Sequence, residues 1–295
     1  MFFSLLKLLR VHHWIKNLLV FTAAILTFRL TEAEGLSRLG IGFVIFCLSA
    51  SAVYIINDLR DLENDRHHPQ KCRRPLASGA ITVAAAYAVL SVIFFCFCAA
   101  MVFIAICGGG FAECAKYFAI PILYIAINIA YSAGLKNVPI LDIFILMSGY
   151  LLRVLYGGII TGIGTSGWVF LTVMAFSFFM GFGKRRNELQ KYGSEGRIIL
   201  QFYTKEFLDK GLQLSLSMSV IFYALVCNDR DTVPAQNGKS LLWTVPVIFA
   251  LCLRYVMLLE SDSDGDPVSM ALSDIWLRLI ALAYVLLVFL LLYVL

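Results

Sequence analysis

Runs of about 20 apolar residues, broken by short polar stretches, recur along the whole chain. They lie near positions 14–32, 38–58, 82–107, 115–134, 138–160, 165–183, 211–228, 240–259 and 273–295. A bilayer core takes roughly 20 helical residues to cross. Backbone N–H and C=O groups find no water there, so each run predicts a helix that satisfies its own backbone. A membrane barrel would instead show short segments of alternating hydrophobicity. The pattern predicts an all-α, polytopic membrane protein of nine transmembrane helices, folded as a single domain over 1–295. The first run is the least clean, because the basic and aromatic stretch "RVHHWIKN" opens it.

Composition agrees. The chain is 60% hydrophobic and only 15% charged, against about 25% charged in soluble domains, and its mean hydropathy is +0.84. That much apolar surface cannot be hidden in a water-soluble core of this size. No cleavable signal peptide is expected, since no small-residue cleavage site follows a short apolar core. The Cys residues sit mostly inside apolar runs such as "FFCFC" and read as small buried hydrophobes, without zinc-type spacing.

Charge sorts the loops into two sets. The N-terminus, the loop after the second run, the turn around Lys136 and the segment from Lys184 to Lys210 hold most of the Lys and Arg. The opposite set holds few, among them Arg29, Arg38, Lys116, Arg230 and Lys239. The positive-inside bias therefore predicts a multi-pass protein of the inner (plasma) membrane with a cytoplasmic N-terminus. The segment 186–210 is expected to form a short surface helix at that face, and the late "ESDSDGDP" a cytoplasmic turn.

One stretch concentrates charge against an apolar helix: "INDLRDLENDRHHPQKCRRPLASG", Ile56 to Gly79. At helical spacing Asn57, Asp58, Asp61 and Asp65 share a stripe. Carboxylates so arranged repel unless a cation joins them, and oxygen-only ligands favour a hard ion such as Mg²⁺ that also shares substrate phosphates. His68-Pro69 should end the helix, and Lys71, Arg73 and Arg74 follow at once. Carboxylates for a metal beside cations for phosphate oxygens suit phosphoryl or diphosphate chemistry. The plainer reading is a solvated helix end. Two further basic groups, Arg10, Lys16 and Asn17 in "RVHHWIKN" and Lys184, Arg185 and Arg186 in "FGKRRNEL", serve equally as membrane anchors or as phosphate ligands. Tyr131 and Lys136 precede the fifth run, and Asp142 and Arg153 lie within it. Ionisable residues inside a membrane are costly and point to function. These two are three turns apart and too far for a direct pair. Nothing suggests nucleic acid as a partner.

On "NDLRDLENDRHHPQKCRRPLASG" the chain resembles the UbiA-type intramembrane prenyltransferase superfamily, and most strongly its decaprenyl-phosphate phosphoribosyltransferase branch. "HWIKNLLVF", "LKNVPILDIFILMSGYLLRVLYGG", "WVFLTVMAFSFFMGFGKRRNEL" and the late "LRY" also look like that branch, so the resemblance covers nearly the whole chain. It implies a UbiA-type bundle with a cytoplasm-facing active-site cavity. Aromatic prenyltransferases of the superfamily carry a second acidic motif where this chain has "KRRNELQKYGSEG". The departure argues against a second metal–diphosphate site and for a lipid monophosphate.

The implied reaction moves phosphoribose from 5-phosphoribosyl diphosphate to a polyprenyl phosphate, with Mg²⁺ as cofactor and diphosphate released. The resemblance implies catalytic roles for Asp58 and Asp61, with Asn57 and Asp65 completing the metal ligands. Arg66, Lys71 and Arg74 would hold phosphate oxygens, and Lys16 and Asn17 would close the donor pocket. Lys184 and Arg185 would orient the acceptor phosphate, while Tyr131, Lys136, Asp142 and Arg153 complete the substrate-binding set. The product would feed cell-wall biosynthesis as an arabinan precursor. An aromatic prenyltransferase is the alternative, a cation-coupled transporter a more distant one. Assembly as a homo-oligomer is left open.

Overall fold

The computed structural model describes residues 2–26, 33–67, 71–108, 110–193, 198–229, 241–260 and 267–294. Among them every regular element is helical. A short α1 (Phe2–Leu8) leads into a 3₁₀ segment (Val11–Phe21) that continues as α2 (Thr22–Leu26). Then come α3 (Ala33–Arg60), α4 (Leu62–His67), α5 (Val83–Gly108), α6 (Phe111–Ala133) and α7 (Leu141–Thr161). The chain continues through α8 (Gly167–Tyr192), α9 (Lys205–Asn228), α10 (Val245–Glu260), α11 (Pro267–Ser273) and α12 (Ile275–Phe289).

Among the described residues eight helices are long and apolar enough to cross a membrane, and the ninth apolar stretch, Val11–Leu26, is shorter. The chain is thus an integral membrane protein with the expected set of spans, except that the first is a short, mostly 3₁₀ element. Arg29, Arg230, Lys239 and most of "ESDSDGDP" lie outside the described residues.

Two apolar cores organise the bundle. One gathers Val20, Phe46, Tyr124, Tyr156 and Ile160 from the 3₁₀ segment, α3, α6 and α7. The other gathers Phe179, Leu212, Tyr255 and Leu259 from α8, α9 and α10. The helices α7 and α8 pack on one another and join the halves. By contrast α5 and α12, the most apolar helices, bury almost nothing and present their side chains outward, as lipid-facing helices do.

Local chemistry sets the helix ends. Ser166 and Thr204 cap α8 and α9 by accepting the N–H groups of Trp168 and Phe207. Gly162, left-handed at φ 71°, ends α7. Gly157 instead permits a close approach. A Cβ there would collide with the Val20 carbonyl oxygen, so only glycine lets the 3₁₀ segment lie on α7.

The expected surface helix over 186–210 does not form as one element. Residues up to Tyr192 continue α8, Ile198–Phe202 is a 3₁₀ turn, and α9 starts at Lys205. The polar residues at 185–188 do not end α8, because each finds a partner inside the protein.

Candidate active site

A cavity of about 220 Å³ opens where the 3₁₀ segment, α3, α6, α7 and α8 converge. Lys16, Asn57, Tyr131, Arg153 and Lys184 line it, so five residues expected from the sequence meet in one space although they lie on five elements. Arg10, His13, Tyr54, Asn128 and Tyr150 line it as well. Sequence patterning passed over Tyr54, Asn128 and Tyr150 because isolated polar and aromatic residues on separate apolar helices share no spacing. The signal present was modest: Tyr54 lies one turn before Asp58, and Asn128 one turn before Ser132.

Among the described residues the lining contains the cations Arg10, Lys16, Arg153 and Lys184, and no Asp or Glu. The acidic stripe stands beside it at the end of α3. Helical hydrogen bonding carries through the turn at Asp61, with Asp61 N–H donating to the Asn57 carbonyl and Asp65 N–H to that of Asp61. The side chains nevertheless part company. Asp58 accepts from Arg10 at 2.6 Å and from Arg74 at 3.1 Å. Asp65 accepts from the same Arg74 Nη1 at 2.6 Å, with Lys71 at 3.9 Å. Asp61 turns to Lys136 across the bundle at 3.4 Å, while Asn57 accepts from the Ser132 hydroxyl. Asp58 and Asp65 are nearly inaccessible.

The sequence reading takes Asn57, Asp58, Asp61 and Asp65, along one stripe, as the Mg²⁺ ligands. Among the described residues no group of three acidic, His or Cys side chains is arranged to hold a metal. The reason is local: cations from the N-terminal segment, the loop after α4 and the turn after α6 occupy the carboxylate oxygens. The donor chemistry still fits a hard divalent cation. All four groups offer oxygen, and Asp58 and Asp65 converge on one positive centre, the Arg74 guanidinium.

Arg10 owes its position to the backbone. It takes a left-handed conformation (φ 49°) between α1 and the 3₁₀ segment, which turns its side chain to Asp58 and over the Tyr54 ring, 4.6 Å from the centroid. The segment is pinned to α3 by Trp14 Nε1, which donates to Ser51 Oγ, and by Ser51, which donates to the Leu9 carbonyl.

Several expected ligands are placed elsewhere. Arg185 does not line the cavity; it is buried, donating to Asp142 Oδ2 at 2.6 Å, to Glu188, and to the Tyr131 hydroxyl at 3.1 Å. Asp142 is wholly buried and also accepts from the Tyr203 hydroxyl, which in turn accepts the Ile140 N–H at 2.7 Å. Ile140 has φ 69°, a costly conformation for a β-branched residue, and this hydrogen bond helps to hold it. Asn17 is also inaccessible; it accepts from Arg153 Nε at 2.7 Å and donates to Cys47 Sγ. Arg66 faces out and pairs with Glu63. Arg186 pairs with Asp209 and Glu260, which suits a structural tie at the membrane face.

A second space, about 540 Å³ and almost entirely apolar, runs between the 3₁₀ segment, α8, α9, α10 and α12. Ile15, Leu18, Val285 and Phe289 form its outer edge and are exposed.

Comparison with known proteins places this geometry. The UbiA prenyltransferase family profile matches residues 18–267. Decaprenyl-phosphate phosphoribosyltransferase of Mycolicibacterium smegmatis is 36% identical, over 96% of this chain and 90% of that protein. The enzyme of the same name from Corynebacterium glutamicum is 35% identical over 96% of this chain and 84% of its own length. Nodulation protein NoeC of Azorhizobium caulinodans is 31% identical over 90% and 85%. Among solved structures, a UbiA homologue from Archaeoglobus fulgidus bound to GPP and Mg²⁺ superposes with a TM-score of 0.68 at 19% identity. That superposition covers 97% of this chain and 96% of the homologue.

Proposed function

The chain belongs to the UbiA prenyltransferase family, and from that membership we propose that it transfers 5-phosphoribose from 5-phosphoribosyl diphosphate to a polyprenyl phosphate, releasing diphosphate. One observation carries the reading: among the described residues the cavity lining holds Arg10, Lys16, Arg153 and Lys184 and no carboxylate. Four cations around so small a space match two phosphorylated substrates. Aromatic prenylation would bring one diphosphate and at most an acceptor carboxylate to these cations, whereas phosphoribosyl transfer brings a diphosphate, the donor's 5-phosphate and the acceptor's phosphate. The relatives named decaprenyl-phosphate phosphoribosyltransferase support the same assignment.

The chemistry follows from the parts. A non-bridging oxygen of the acceptor phosphate forms a bond to C1 of the ribose. The bond from C1 to the diphosphate oxygen breaks, and its electron pair leaves with diphosphate. The acceptor is already an anion, so no strong general base is required. Attack opposite the departing group inverts the anomeric centre. Asn57, Asp58, Asp61 and Asp65 would hold Mg²⁺, which supplies charge neutralisation for the diphosphate. Arg74 and Lys71, now on Asp58 and Asp65, are placed to pass to diphosphate oxygens, as is Lys136 from Asp61. Tyr131 is oriented by Arg185, and Lys184 faces the cavity from α8. The prenyl tail lies in the apolar space beside the 3₁₀ segment. The positive-inside bias puts the cavity mouth in the cytoplasm.

The deciding experiment supplies purified protein with labelled 5-phosphoribosyl diphosphate, Mg²⁺ and polyprenyl phosphate. A parallel reaction contains labelled prenyl diphosphate and 4-hydroxybenzoate. Label entering lipid in the first alone, abolished by EDTA and restored by excess Mg²⁺, is the expected result. Product in the second alone overturns the reading in favour of aromatic prenylation.

A further inference from the structure

We infer that Arg153 is the seat of the acceptor's phosphate, held in readiness by Asn17 at the point where the polar cavity meets the apolar groove. The inference rests on the transfer reaction proposed above and assigns one of its two substrates to one end of the cavity.

Arg153 is only 5% exposed, yet among the described residues no carboxylate pairs with it. Its Nε donates to Asn17 and its Nη1 to the Gly149 carbonyl, both neutral acceptors. Three aromatic rings surround the guanidinium, with centroids of Phe46, Tyr124 and Tyr150 at 4.8, 5.1 and 5.9 Å. Ring faces and neutral oxygens stabilise a cation without cancelling its charge. Arg185, two turns from the end of α8, shows the contrast: it too is buried but has two carboxylates. A buried cation facing a cavity and lacking a counter-ion is arranged to receive an anion from it.

Position decides which anion. Arg153 lies three turns in from Leu141, roughly 18 Å along α7 at about 1.5 Å per residue, whereas Asn57 and Asp58 lie in the last turn of α3. The cavity therefore has an acidic-stripe end and an Arg153 end. Diphosphate held at the first must leave from the face of C1 opposite the attacking oxygen, so the acceptor phosphate belongs at the second.

The lipid's route reaches the same place. Along the 3₁₀ segment, Ile15 and Leu18 line the apolar groove and Lys16 lines the cavity. Asn17, between them, is the residue that grips Arg153. On α8 the boundary repeats, with Phe176 in the groove and Ser177 in the cavity. A tail in the groove thus brings its phosphate to Lys16 and Arg153. Asn17 is the positioning residue, and its carboxamide orients the guanidinium without neutralising it.

The test uses the full-length protein in nanodiscs and measures binding of farnesyl phosphate, farnesol and 5-phosphoribosyl diphosphate separately by calorimetry. Arg153→Lys keeps the charge but loses the planar fork. Asn17→Asp supplies the missing carboxylate at nearly constant volume. Each variant is expected to weaken farnesyl phosphate about tenfold or more, the loss of one charge-assisted contact, and to change 5-phosphoribosyl diphosphate less than about twofold. Should Arg153→Lys not fold, Asn17→Asp carries the same comparison. Weakened donor binding with unchanged farnesyl phosphate binding overturns the assignment and gives Arg153 to the donor's 5-phosphate. Unchanged binding of both also overturns it. If wild type binds farnesyl phosphate over farnesol through Arg153 but moves no pentose, the seat stands and the transfer reaction falls. If pentose moves and the KM for lipid phosphate ignores both substitutions, the reaction stands and the seat falls.

Discussion

Arg185 Nε donates to Asp142 Oδ2 at 2.6 Å, joining α8 to α7 through two wholly buried side chains. The pair also holds the Tyr131 hydroxyl on one side and the Tyr203 hydroxyl on the other. Removing one partner leaves an uncompensated buried charge. Arg185→Met is expected to cost about 3–5 kcal/mol, measured as a large fall in unfolding temperature in detergent. The double variant Asp142→Leu, Arg185→Met should recover most of that loss. A single variant as stable as wild type would remove the ion pair from the fold's supports.

Asp58 and Asp61 should matter for turnover more than for folding. Their partners Arg10, Arg74 and Lys136 keep access to solvent, so losing one carboxylate strands no buried cation. Asp58→Asn and Asp61→Asn are expected to lower transfer by about 100-fold or more, the scale of removing a group that stabilises the departing charge. Their elution by size exclusion should match wild type. Near-normal turnover in either would contradict the metal assignment.

Gly157 tests the packing of the first short span. A methyl group there meets the Val20 backbone rather than a side chain that can swing away. Gly157→Ala should therefore push the 3₁₀ segment off α7 and cost about 1–3 kcal/mol. Because Lys16 and Asn17 ride on that segment, the KM for lipid phosphate should rise as well. A variant with unaltered stability and KM would show that the segment tolerates displacement.

Tyr203 gives the fold a sensitivity to alkali. Burial first, and then its hydrogen bond to Asp142, hold the phenol above its ordinary value of 10.0. A group whose folded value is raised contributes stability that is full below the unfolded value and is lost as pH rises beyond it. The unfolding temperature of wild type should fall more steeply above about pH 10 than that of Tyr203→Phe. Parallel pH profiles for the two would assign the alkaline loss to other tyrosines.

Much of this architecture could be read from the chain. Predicted spans near 138–160 and 240–259 appear as Leu141–Thr161 and Leu241–Glu260, because hydrocarbon thickness and backbone satisfaction leave helices few alternatives. The charged stretch after the second run stood out in the sequence because its residues are close along the chain. Yet Asp61 lies in the turn between α3 and α4, and the side chains take separate partners. What stayed hidden depends on partners distant in sequence. Arg185 looked like a headgroup cation because nothing in the pattern ties it to Asp142, 43 residues earlier. The same pairing explains why α8 runs to Tyr192 rather than stopping near 183. Asn17 looked like a pocket closer because its bond to Arg153 spans 136 residues. Pairings of that kind are decided by how helices pack, and helical periodicity within one segment carries no record of them.

The exposed edge of the apolar groove, with Ile15 and Leu18 facing Val285 and Phe289, bears on how rates must be measured. An acceptor that enters sideways never passes through bulk water, so encounter occurs in two dimensions. The governing variable is then the mole fraction of polyprenyl phosphate in the bilayer, not its molarity in the tube. Adding inert phospholipid at constant total acceptor should slow the reaction by surface dilution, while the water-soluble donor keeps an ordinary saturation curve.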